Sequence, residues 1–254
     1  MTKTTNKNIM KYSFFLISIL ILSITGCQTQ EKPFSIYTIG DSTMANKKPE
    51  VQPETGWCQV LQQYFDSNVT VKNHAVNGRS TKSFIDEGRW QVVLDSLQPG
   101  DYVFIQFGHN DQKIQDSTRY TTPFETYSEN LEKFVNETRA KSATPILFTS
   151  IVRRKFGDNG KLIDTHGEYP VAVRQVAQKL NVSLIDLQKL TEDWVNSLGD
   201  ESSKAMFLWT KPNVKFPEGR KDDTHLSVKG ATEVARLATN ECKKQNLLFV
   251  NYLK

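Results

Sequence analysis

A serine, a histidine and a carboxylate make an ester-cleaving set when the histidine takes the serine's proton and the carboxylate holds the histidine in the right tautomer. In this chain of 254 residues, Ser42 sits in Gly40-Asp41-Ser42, directly after a strand-length apolar run at Phe34–Ile39. That position puts its hydroxyl at the carboxyl edge of a sheet. Alone the pattern is weak, because Asp and Ser are also common turn and helix-start residues. The histidines are His74, His109, His166 and His225. His225 closes the run Asp222-Asp223-Thr224-His225, so a turn would fold the Asp222 carboxylate back onto the imidazole. Alone, this run reads more readily as a surface turn before a helix.

Ester hydrolysis also needs donors aimed at the oxyanion that develops on the carbonyl. Tyr102–Phe107 is an apolar run that ends in Gly108-His109-Asn110-Asp111, and the Asn110 amide is such a donor. Asn77-Gly78-Arg79-Ser80 follows a further strand-like run and offers a backbone N–H beside Gly78. His74, His109 and His166 lack the close Cys or His spacing of a zinc site, and no Gly-rich phosphate loop is present. The expected chemistry therefore needs no metal and no cofactor.

These residues must be positioned by the elements between them. Strands are expected at Phe34–Ile39, Val69–His74, Tyr102–Phe107, Ile146–Ile151 and Leu184–Leu187. Helix-period segments separate them at Trp57–Phe65, Arg89–Leu97, Pro123–Lys141 and Val171–Leu180. A terminal helix follows Ser227, with Val228, Ala231, Val234, Ala235 and Ala238 on one face. Alternation of this kind predicts an α/β fold with a parallel sheet, whose ligands bind beyond the carboxyl ends of the strands. The stretch from Ser203 to Thr224 reads as a long irregular loop, and such loops in compact domains are often functional.

Composition bounds the alternatives. With 38% hydrophobic and 24% charged residues, the chain is globular. Its net charge of +4 includes Lys3, Lys7 and Lys11 in a leader, so a nucleic-acid partner is not expected. Residues 1–27 read as a signal peptide: a Lys-bearing start, the apolar run Phe14–Leu22, and Ile24-Thr25-Gly26-Cys27. The last four resemble a bacterial lipobox, which would make Cys27 the lipid attachment site and the membrane a partner through that anchor. Residues 28–33 would be a tether and 34–254 the catalytic domain, secreted across the inner membrane and facing the periplasm or the cell surface. Cys58 and Cys242 fall on the first and last expected helices, where they either pair as a disulfide or stand as buried thiols. Oligomeric state is not legible.

The four blocks together resemble the SGNH or GDSL hydrolases, which contribute Ser, Gly, Asn and His in that chain order. The resemblance implies a three-layer flavodoxin-like fold with a five-stranded parallel sheet. It further implies Ser42 as nucleophile, His225 as base, Asp222 as its carboxylate, and Ser42, Gly78 and Asn110 as the oxyanion hole. Longer stretches are similar to the rhamnogalacturonan acetylesterase branch: Gly40 to Ala45, Gly78 to Phe84, Glu87-Gly88-Arg89-Trp90, Phe107 to Asp111, and Arg153 to Phe156. Cys58 departs from that pattern, where a second glycine is expected after Gly56-Trp57.

The implied substrate is an acetylated polysaccharide or oligosaccharide, most specifically acetylated rhamnogalacturonan. Arg79, Arg153 and Arg154 are candidate partners for uronate carboxylates. Trp57 and Trp90 are expected to anchor helices, whereas Trp209 in the late loop is a candidate sugar platform. Arg79, His109, Arg153 and Trp209 form the candidate substrate set, with His109 also expected to bond neighbouring loops. The alternatives are an acetylxylan or other acyl esterase of the same fold, and a non-catalytic glycan-binding surface lipoprotein.

Overall fold

The computed structural model describes residues 1–2 and 33–254. Apart from residues 1–2 and 33, the expected leader with Cys27 and the tether lie outside the described residues.

Five parallel strands form the central sheet in the order β2-β1-β3-β4-β5. They are β1 (Phe34–Gly40), β2 (Val69–Asn73), β3 (Tyr102–Gln106), β4 (Thr144–Phe148) and β5 (Ser183–Ile185). Successive strand side chains point to opposite faces, and here both faces are apolar. Ile36, Phe104, Ile146, Phe148 and Ile185 enter one core, and Tyr37, Ile39, Val103, Ile105 and Leu147 enter the other. Sheets buried on both faces need helices on both. The first core is covered by α5 (Leu187–Ser203) and α6 (Val228–Lys244), the second by α2 (Arg89–Ser96), α3 (Ser128–Ala140) and α4 (Tyr169–Lys179). A short α1 (Thr81–Asp86) begins at a capping box between Ser80 and Ser83. The three-layer arrangement with a five-stranded parallel sheet is the one expected.

Local departures have identifiable causes. Trp57–Phe65 is two 3-10 turns, Trp57–Gln59 and Leu61–Tyr64, rather than a helix. The Trp57 N–H donates to the Thr43 carbonyl at 2.9 Å, and a Cβ on Gly56 would collide with the Ala45 carbonyl. The segment is thereby pinned against the turn that carries Ser42. The fourth strand ends at Phe148 instead of Ile151, because Thr149 and Ser150 turn to hydrogen-bond Asp186 and the Phe107 carbonyl at 2.9 and 2.8 Å. Leu187 is the first residue of α5, not the end of a strand: Asp186 caps that helix, which is interrupted at Gly199.

The Ser203–Thr224 stretch is not irregular throughout. It holds β6 (Phe207–Thr210) and most of β7 (Arg220–Leu226), an antiparallel pair outside the main sheet. Cys58 and Cys242 are both buried and unpaired, so the disulfide alternative is set aside. Burial pushes both thiols up, Cys242 to about 12, which leaves them inert core residues.

Candidate active site

Parallel topology gathers the loops after β1, β2, β3 and β4 at one edge of the sheet. Those loops carry Ser42, Gly78, Asn110 and Arg153 in turn. The Ser42 turn is fastened from below by Asp41, whose buried Oδ1 accepts the Thr43 N–H and hydroxyl at 2.9 and 2.8 Å. Gln106, at the end of β3, donates to the Thr43 hydroxyl at 2.7 Å and accepts from the Trp57 indole at 2.8 Å. Desolvation raises the Asp41 pKa, against the opposing bonds from Thr43.

Gly78 has φ +77°, a left-handed conformation that a side chain would strain. It turns the backbone so that the next residues enter α1. The Asn110 amide donates to the Arg79 carbonyl at 3.1 Å, which ties the second and third loops together. The following residue, Asp111, is fully buried and accepts the Thr81 N–H, the Thr81 hydroxyl and the Thr121 hydroxyl at 2.9, 2.6 and 3.0 Å. Burial outweighs those bonds and raises its pKa to about 7. Neither the Ser42 N–H nor the Gly78 N–H donates to an acceptor among the described residues. With the second proton of the Asn110 amide, these are the free donors beside Ser42.

β7 brings the histidine from outside the sheet. His225 Nε2 lies 3.0 Å from Ser42 Oγ, and its Nδ1 lies 2.8 Å from Asp222 Oδ2. Asp222 Oδ1 accepts the backbone N–H groups of Thr224 and His225, both at 2.9 Å. Burial alone would raise the Asp222 carboxyl, but the bonds from His225 and Thr224 dominate and hold it well below the ordinary carboxylate range. A hydroxyl against an imidazole whose other nitrogen is held by an ionised carboxylate is the arrangement that activates serine for acyl transfer.

A cleft of about 520 Å³ opens over these groups, lined by Ser42, Gly78, Asn110 and His225 together with Glu54, His109, Lys113, Arg153 and Arg220. Glu54 pairs with buried Lys47 at 2.9 Å and with Arg220 at 3.5 Å, and Arg220 also reaches Asp222 at 3.4 Å. Lys47 continues to the Asn77 side chain at 2.6 Å. This network joins the hairpin to the loop before Gly78. Its members stand in no recognisable motif, and only contact in space reveals them.

The candidate substrate residues separate in the structure. His109 and Arg153 line the cleft. Arg79 lies on an adjoining cleft and is committed to Glu87, at 3.0 and 3.1 Å. Trp209 does not line the Ser42 cleft: its indole donates to Asp223 at 2.8 Å and its ring carries the Arg154 guanidinium at 4.8 Å. It braces the hairpin instead of offering a platform there. Arg154 is likewise structural, buried and bonded to Asp223 and Asp200.

Residues 38–232 match the GDSL-like Lipase/Acylhydrolase family. The chain is 41% identical over 225 residues to the rhamnogalacturonan acetylesterase RhgT of Bacillus subtilis (strain 168), covering 88% of this chain and 95% of that protein. It is 35% identical over 212 residues to the probable rhamnogalacturonan acetylesterase YesY of the same organism, covering 84% and 94%. The crystal structure of B. subtilis YxiM superposes with a TM-score of 0.73 at 28% identity, over 86% of this chain and 58% of that one. The family match, the parallel sheet and the residues gathered at its edge agree: the chain belongs to the GDSL-like lipase/acylhydrolase family and is a carboxylic ester hydrolase.

Proposed function

We propose that this protein is a serine acetylesterase acting on an acetylated plant cell-wall polysaccharide, with acetylated rhamnogalacturonan as its substrate. The reaction class is carried by the 3.0 Å approach of His225 Nε2 to Ser42 Oγ, with Asp222 on the other imidazole nitrogen. The substrate class is supported by the near full-length likeness to RhgT.

In this reading His225 takes the Ser42 proton and the Ser42 oxygen attacks the acetyl carbonyl. The tetrahedral oxyanion accepts from the Ser42 and Gly78 N–H groups and the Asn110 amide. Collapse breaks the bond to the sugar oxygen, which leaves with the proton from His225. Water, deprotonated by His225, then attacks the acetyl-enzyme, releasing acetate and restoring Ser42. Asp222 stays ionised throughout and stabilises the imidazolium.

Acetate release from acetylated rhamnogalacturonan, acetylated homogalacturonan and acetylated xylan tests the substrate. Rhamnogalacturonan should be the fastest of the three; a response to xylan alone would overturn the substrate and leave the mechanism standing. The leader is read, as a further part of the proposal, as directing secretion and lipid attachment at Cys27. Mass spectrometry of the mature amino terminus should find a diacylated Cys27, and an unprocessed Met1 would overturn that part.

A further inference from the structure

Of the four charged residues that line the Ser42 cleft, Glu54 and Arg220 are ion-paired within the protein. Glu54 has Lys47 and Arg220, and Asp222 has His225 and Arg220. Arg153 differs. Its guanidinium is half-buried, yet it forms no ion pair among the described residues; it donates only to backbone carbonyls of Thr165 and His109, at 3.2 and 3.3 Å, and to the Thr165 hydroxyl at 3.4 Å. A desolvated cation without a counter-ion is costly. The ligand is therefore expected to bring one.

His109, beside it, is 3% exposed, and its Nε2 is sealed from the cleft. Its Nδ1 lies 3.2 Å from His166 Nε2, and His166 Nδ1 lies 3.4 Å from the Thr165 hydroxyl to which Arg153 donates. Burial holds His166 down at about 3 and His109 well below the usual histidine range, so both rings are neutral at working pH.

We propose that Arg153 is the recognition residue for the carboxylate of a uronic acid, next to the acyl group that Ser42 attacks, with the buried His109 ring packed as a neutral wall behind it. The guanidinium presents donors and no acceptor, which suits an acceptor-only carboxylate better than a sugar hydroxyl, whose own proton would go unpaired. Lys113, also lining the cleft without an ion pair among the described residues, adds positive potential there. The site deepens the acetylesterase reading and rests on it.

The test compares acetate release from acetylated rhamnogalacturonan oligosaccharides with release from the same oligosaccharides after their carboxyls are converted to methyl esters. The wild-type enzyme should favour the free acid by about tenfold or more in kcat/KM. Arg153→Met should erase most of that preference and Arg153→Lys should keep part of it. Each preference is a ratio measured on one enzyme sample, so a loss of folded protein cancels. Equal wild-type rates on both substrates would overturn the site while leaving the acetylesterase reading intact. A wild-type preference that survives in Arg153→Met would overturn the assignment to Arg153. Release from neither substrate would overturn the acetylesterase reading itself, and the site with it.

Discussion

The two halves of the proposed active site are built by different means. Ser42, Gly78 and Asn110 hang from the ends of adjacent parallel strands and are fastened by two fully buried carboxyls, Asp41 and Asp111. Asp222 and His225 ride on a two-stranded hairpin whose foot, Phe207, Leu208 and Leu226, is buried and whose outer part is held by polar contacts: Arg154 to Asp223 and Asp200, Trp209 to Asp223, and Arg220 to Glu54. One half is set by the fold's core, the other by a buried foot and by polar contacts at the fold's margin. Substitutions in the first should alter the chemistry more than the geometry, whereas those around the hairpin should alter the geometry first.

Ser42→Ala tests the core-set half most severely. Turnover of 4-nitrophenyl acetate should fall by roughly three to four orders of magnitude or more, with the circular dichroism spectrum unchanged. Asp222→Asn should cost about a thousandfold in kcat by mis-setting the His225 tautomer, with KM little changed. Asn110→Ala should cost about a hundredfold in kcat, as expected for one oxyanion donor.

The hairpin anchors should give smaller effects. Arg154→Met removes bonds to half-exposed carboxylates, so it should destabilise by only about 2 kcal/mol in urea unfolding. Its loss in kcat should be about tenfold, because His225 is less well held. An equal loss from a substitution far from both halves would erase the distinction between them.

Asp111→Asn has the subtlest expected effect. Because the folded-state pKa of Asp111, near 7, lies above its unfolded value, the folded protein binds the extra proton between about pH 4 and 7. This carboxyl therefore lowers stability as pH rises through that window, and the Asn variant should show a flatter curve of stability against pH. Asp222 has the opposite sign: its depressed pKa contributes stability that is present above about pH 4 and lost on acidification.

Legibility in the sequence follows the same division. The strands that carry Ser42 and Asn110 are apolar runs ending at glycine and polar residues, so both the sheet and the positions at its edge could be read in advance. β7 reads Arg-Lys-Asp-Asp-Thr-His-Leu, with a single apolar residue. Its strand character comes from pairing with β6, which no local periodicity announces, and the roles expected of its Asp222 and His225 come from the family resemblance, the spacing alone fitting a surface turn. Trp209 looked like a sugar platform because its region looked like a loop; in the hairpin it becomes a brace. Glu54, Lys47 and Arg220 are separated by long stretches of chain and meet only through the fold.

Covalent labelling of Ser42 tests the central claim most directly. Diethyl 4-nitrophenyl phosphate should lose 4-nitrophenolate as the Ser42 oxygen bonds to phosphorus. Peptide mass spectrometry should then find one diethylphosphoryl group, on the peptide containing Ser42, with activity lost in proportion. Labelling at another residue, or full inactivation with Ser42 unmodified, would contradict the account.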